Sequence, residues 1–171
     1  DYTTFGIGGK ADVFVKPTSE DELRNILKIN HKFAIKTTVI GRGSNLLISD
    51  KGIRGTVIVL ADNYSNITVE GEVLSALAGT SLNEAALCAI ENHLSGMEEI
   101  SGIPGSVGGA VAMNAGAYGG EIKDICILVK AFGFEGNEYD FTNSDMHFSY
   151  RHSKVFDDDL VVSEAIFELK K

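Results

Sequence analysis

Tryptophan is absent from this chain of 171 residues, and proline and cysteine occur only twice each. Cys88 and Cys126 form no Cys-x-x-Cys pair and have no histidine at zinc-site spacing. That excludes a disulfide framework and a zinc centre, and the two read as buried thiols in a reducing compartment. Long apolar runs are missing too. None approaches the ~18 residues that cross a bilayer, and Asp1-Tyr2-Thr3-Thr4 lacks the basic and apolar regions of a signal peptide, so a cytoplasmic setting is the default expectation. Positive charge is scarce: 15 Lys and Arg face 24 Asp and Glu, a formal charge of −9. A surface of that sign attracts neither a nucleic-acid backbone nor an anionic membrane over long range. Any anionic ligand must then be held by local devices. No metal site is expected, because Asp157-Asp158-Asp159 has no further ligands near it and reads as a solvated turn.

What is present is a globular composition, 44% hydrophobic and 23% charged, in a length that fits one generous domain or two small lobes sharing a core. The chain starts at Asp1 rather than Met, as a trimmed piece would. Glycine is abundant, and 15 of the 19 glycines fall in three clusters, over 6–9, 41–55 and 96–120. Such clusters signal backbone brought close to a ligand or to other backbone. Between them, alternation and β-branched runs predict strands over 11–15, 35–40, 46–49, 56–60, 67–69, 73–77, 125–132, 138–141 and 160–169, with a hairpin through Glu70-Gly71-Glu72. Ser19 with Glu22, and Ser81 with Glu84, read as capping boxes opening helices along Leu23, Ile26 and Leu27 and along Leu82, Ala85, Ala86 and Ala89. Few helices among many strands indicate an α+β fold, divided into lobes 1–62 and 63–171.

Gly41-Arg42-Gly43-Ser44-Asn45 follows a β-branched strand. A turn of this composition can aim several backbone N–H groups at one anion, with Ser44 and Asn45 adding donors. It equally suits a tight turn whose glycines only supply positive φ, and the segment alone leaves both open. It matches neither the dinucleotide GxGxxG nor the phosphate loop ending in Gly-Lys-Ser/Thr. The stretch 101–120 is so rich in Gly, Ala and Ser that it leaves too little side chain for a core. A ligand surface is favoured there, with a short helix after Pro104 turning unpaired N–H groups toward a diphosphate. His147 and His152, with Asp145 nearby, read as a solvent-facing or structural pair, and His31 and His93 as helix-end residues.

With the opening Thr3-Thr4-Phe5-Gly6-Ile7-Gly8-Gly9, the segments Gly41-Arg42-Gly43-Ser44-Asn45-Leu46-Leu47, 101–109, Asn114-Ala115-Gly116-Ala117-Tyr118-Gly119 and Tyr150-Arg151-His152-Ser153 stand in a familiar order. The sequence resembles the UDP-N-acetylenolpyruvoylglucosamine reductase (MurB) family over essentially its whole length. The resemblance implies FAD held between two α+β lobes of the vanillyl-alcohol-oxidase (PCMH) type. By matching positions, Gly41, Arg42, Gly43, Ser44 and Asn45 would cradle the diphosphate, with Leu46 also at the cofactor. Gly79, Thr80, Ser81, Gly102, Ile103, Pro104, Gly105, Ser106, Gly108, Gly109, Ala110, Ala115 and Gly116 would line the rest of the cofactor. It further implies NADPH as hydride donor and a UDP-sugar enolpyruvyl ether as substrate, with Arg151 meeting the substrate carboxylate as hydride arrives and Tyr150 packing or positioning beside it. No obligate protein partner is evident. Family members continue into a substrate domain bearing a serine proton donor and a late glutamate; neither can be assigned before Lys171, so the chain is expected to be the FAD-binding part and inactive in the full reaction. The other readings are a non-catalytic FAD module or flavin subunit working with a separate substrate domain, and a flavin oxidase subunit of the same fold.

Overall fold

The computed structural model describes residues 2–171. Strand β1 (Ala11–Val15) is followed by Ser19, whose hydroxyl accepts from the Glu22 amide and opens α1 (Glu20–Lys32). The expected capping box is only half made there. The Glu22 carboxylate takes the amide and hydroxyl of Thr18, at 2.7 and 3.0 Å, instead of the Ser19 amide. Leu23 and Leu27 bury completely on the inner face of α1, each contributing about 1.5–3 kcal/mol. Asn30 joins them because its amide is satisfied by the hydroxyls of Thr37 and Thr56, at 3.0 and 3.2 Å. Strands β2 (Thr37–Ile40) and β3 (Ile53–Val59) complete a parallel three-stranded sheet in the order β1-β3-β2. The strand expected over 46–49 is not formed. Leu46 instead packs beside Ile40, Val57 and Val59, and the segment stays irregular.

The hairpin of β4 (Ile67–Glu70) and β5 (Val73–Leu77) turns at Gly71, which has a positive φ of 66°. Next comes α2 (Leu82–Glu91), where Ser81 and Glu84 do form the reciprocal capping box. The glycine-rich stretch contains α3 (Val107–Ala112) and a miniature ribbon of β6 (Gly116–Ala117) and β7 (Gly120–Glu121). Then follow β8 (Cys126–Gly133), β9 (Glu138–Thr142), α4 (Lys154–Asp157) and β10 (Leu160–Glu168). These make an antiparallel sheet ordered β4-β5-β10-β8-β9. One hydrophobic cluster runs from Leu23, Leu27 and Ile58 through Tyr64 and Leu74 to Phe132 and Phe167, so the two sheets share a core. Cys126 is buried, which pushes its thiol up to about 12. Cys88 is only half-buried, because it sits on the flank of α2 beside exposed Leu87.

Candidate functional site

The end of β2 delivers the chain into the 41–45 turn, which bends away from the sheet. Gly43 has a φ of 68° and is buried against the N-terminal segment, where a Cβ would run into the carbonyl of Tyr2. Its glycine is therefore demanded by backbone packing. Among the described residues, no backbone N–H from 41 to 45 donates to a backbone carbonyl. That leaves a row of amide donors with half-buried Ser44 and exposed Asn45 beside them. Arg42 turns its guanidinium to Asp62 and, at 3.5 Å, to Glu84. Its Nε is buried without a partner. Hydrogen bonds from Ser81, with Arg42 adding a lesser pull, hold Glu84 below the ordinary carboxylate range. The arginine charge is thus compensated locally.

A cleft of about 230 Å³ opens where β2, α3 and β10 meet. Of the residues singled out in sequence, Gly41, Ser106, Gly108 and Gly109 line it. A Cβ on Gly41 would fall on the Ser106 hydroxyl, and one on Gly105 would stand 3.7 Å from Ser44 Oγ, so the two glycine-rich segments abut. The short helix does not present free donors, contrary to expectation. Val107 and Gly108 give their amides to Thr80 and Ala78 carbonyls, both at 2.8 Å, and Gly109 donates to Ser106 Oγ at 3.4 Å. These glycines serve close packing: a Cβ on Gly108 would meet that of Ala78 at 2.8 Å. Gly102, by contrast, faces open space.

Several other positions have structural duties. Gly79 packs against the carbonyls of Ala61 and Tyr64, Thr80 is buried with its hydroxyl on the Asn66 backbone, and the Ser81 hydroxyl caps α2. Ala78 takes their place in the cleft wall. Ala110 and Ala115 lie in the core, and Ile103 packs on its edge while Pro104 is exposed. Sequence reading missed the opposite wall, Phe134, Val155, Phe156 and Asp159. Asp157, Asp158 and Asp159 are all exposed and the last two form a turn, as expected, with Asp159 at a φ of 50°. His152 pairs with Asp157 at 3.0 Å, and His147 is exposed.

A second, smaller hollow gathers Asn114, Gly116, Tyr118, Glu121, Tyr150 and Arg151. Tyr150 is 84% exposed, and its ring underlies the Arg151 guanidinium at 5.9 Å. Bonds from Lys123 and Asn114, and the nearby Arg151 charge, hold Glu121 below the ordinary carboxylate range. The open hollow thus carries one guanidinium, Arg151, and one carboxylate, Glu121. It holds Gly116, read above as a cofactor residue, apart from the larger cleft.

The family profile described as FAD binding domain matches residues 11–138. The chain belongs to the FAD-binding domain family. The chemistry suits the dinucleotide: the amides at 41–45 reach no backbone carbonyl among the described residues, and the buried Arg42 Nε has no partner among them. This FAD-binding domain is 42% identical to UDP-N-acetylenolpyruvoylglucosamine reductase of Clostridioides difficile over 170 residues, 99% of the chain and 56% of the relative. It superposes on the MurB crystal structure from Thermus caldophilus with a TM-score of 0.85 at 34% identity, covering 99% of the chain and 59% of that structure. Glucooligosaccharide oxidase from Acremonium strictum matches with a TM-score of 0.71 at 15% identity, covering 95% of the chain and 36% of its own, a likeness of fold alone. The FAD-binding domain thus has a PCMH-type architecture and spans about half the length of the curated relatives it matches.

Proposed function

We propose that the chain is the FAD-binding part of an NADPH-dependent UDP-N-acetylenolpyruvoylglucosamine reductase acting in peptidoglycan precursor synthesis. In this reading lobes 1–62 and 63–171 close on the dinucleotide, in a cytoplasmic enzyme. The observation that carries it is the run of unpaired amides at 41–45 opening beside a cleft whose α3 wall leads to the hollow of Tyr150 and Arg151. FAD, when bound, supplies the relay of hydride from NADPH to the enolpyruvyl double bond. The protein's work is placement and charge. Amides at 41–45 hold the diphosphate, with Ser44 and Asn45 as side-chain donors and Arg42 offsetting Asp62 and Glu84 nearby. Ser106 and Gly109 line the cleft wall beside it, and Gly108 lets α3 pack closely on Ala78. Arg151 meets the substrate carboxylate, and its planar fork holds charge that grows only as hydride is delivered. Tyr150 shapes the same edge. The test is twofold. Purified protein mixed with FAD should show bound-flavin absorbance and a raised melting temperature; absence of both overturns the cofactor assignment. In the complete gene product, Arg151→Ala should keep its flavin yet reduce the UDP-enolpyruvyl sugar at least ~100-fold more slowly. Loss of flavin instead would place Arg151 at the cofactor.

A further inference from the structure

Arg151 occupies the left-handed region, with a φ of 55°. A non-glycine residue stays there only where its surroundings over-determine the backbone. Two bonds close its turn, from the Ser149 amide to the His152 carbonyl at 3.0 Å and from the His152 amide to the Ser149 carbonyl at 3.3 Å. Both feet of that turn are tied to one place. At the first, Asn114 Nδ2 donates to the Ser149 carbonyl at 3.0 Å; at the second, Ser153 Oγ donates to the Ala112 carbonyl at 2.8 Å. Ser153 is fully buried, and Asn114, although it lines the hollow, is 2% exposed with its side-chain donors spent on protein. Asn114 is itself fixed, donating to Glu121 Oε2 at 2.9 Å and accepting from the Lys123 amide at 3.0 Å.

Ala112 ends α3 and Asn114 follows it, whereas Gly108 and Gly109, near its start, line the cofactor cleft. The helix is a rigid spacer of six residues, roughly 9 Å at 1.5 Å per residue. Resting on the reading of Arg151 as the substrate-facing arginine, we propose that Asn114 and Ser153 are positioning residues that clamp the Arg151 turn to the exit of α3. They set the distance from guanidinium to cofactor. The buried serine of the Tyr150-Arg151-His152-Ser153 segment thereby acquires a role, and so does the asparagine that opens 114–119.

The test uses the flavin-loaded complete gene product. Asn114→Asp removes both donors and sets a carboxylate against Glu121 and the Ser149 carbonyl; Ser153→Ala removes the second foot. Each is expected to keep flavin content and NADPH-driven flavin reduction within about twofold. Each should also speed hydrogen exchange at the Ser149 and His152 amides about tenfold and slow reduction of the UDP-enolpyruvyl sugar about tenfold, with a raised KM. Combined with Arg151→Ala, neither should add to the loss caused by Arg151→Ala alone. If Arg151→Ala leaves substrate reduction intact, the substrate-facing reading fails and the inference goes with it. If Arg151→Ala is crippled while folded clamp variants work normally, lose flavin, or multiply its defect, the clamp alone is wrong. Should Asn114→Asp not fold, Ser153→Ala decides.

Discussion

The 41–45 turn and the start of α3 have the same glycine-rich composition, yet their amides have opposite fates. Among the described residues, no backbone N–H of the turn reaches a backbone carbonyl. In α3, the Val107 and Gly108 amides go to Thr80 and Ala78. The difference teaches that glycine richness reports close approach without saying to what. Gly108 admits the β5 exit at Ala78, whereas the turn keeps its donors for something else. A net charge of −9 is compatible with a diphosphate ligand because backbone dipoles at one turn can carry the neutralisation.

Substitutions in the two segments should separate their roles. Gly43→Val carries the largest effect: it combines a positive φ of 68° with a collision on the Tyr2 carbonyl. It should cost about 3 kcal/mol of stability and abolish flavin retention, read by melting and by the flavin absorbance of the purified protein. Gly108→Ala should cost about 1–3 kcal/mol through Ala78 while folded molecules still take up FAD, since α3 supplies packing and not donors. Ser44→Ala with Asn45→Ala should do the reverse. Stability should change by less than ~0.5 kcal/mol, while FAD affinity should fall about tenfold in a titration. The smallest effect concerns pH. Glu84 and Glu121 have folded values below 4.5, so their contribution is fully present above pH 4.5 and is lost as pH falls through the depressed values. Melting temperature should therefore hold steady from pH 8 to ~5, about half a unit above the ordinary value, and drop below ~4.

Much of the fold is legible in the sequence because local signals and tertiary need agree there. β1, both long helices and the β4-β5 hairpin fall where alternation, Ser caps and Gly71 place them. The segment 46–49 misleads because Leu46, Leu47 and Ile48 look strand-forming, but Leu46 is taken by the Ile40 and Val57 cluster and the segment joins neither edge of the β1-β3-β2 sheet. At the site, Gly41, Ser106, Gly108, Gly109, Tyr150 and Arg151 are readable from motif order and line the two hollows. Phe134, Val155 and Asp159 are not, since strand order alone brings β10 and its approach beside β2's end. Nor could spacing reveal that Thr80 spends its hydroxyl on the Asn66 backbone, whereas the bond of Ser81 to the Glu84 amide is the capping box that spacing does announce.

Amide hydrogen exchange with and without FAD tests most directly whether the turn, and not the helix, receives the diphosphate. The amides of Arg42, Ser44 and Asn45 should exchange freely in the protein alone and slow at least ~10-fold when FAD is added, while Val107 and Gly108 stay protected throughout. Protection appearing at α3 with the turn unchanged would contradict the assignment.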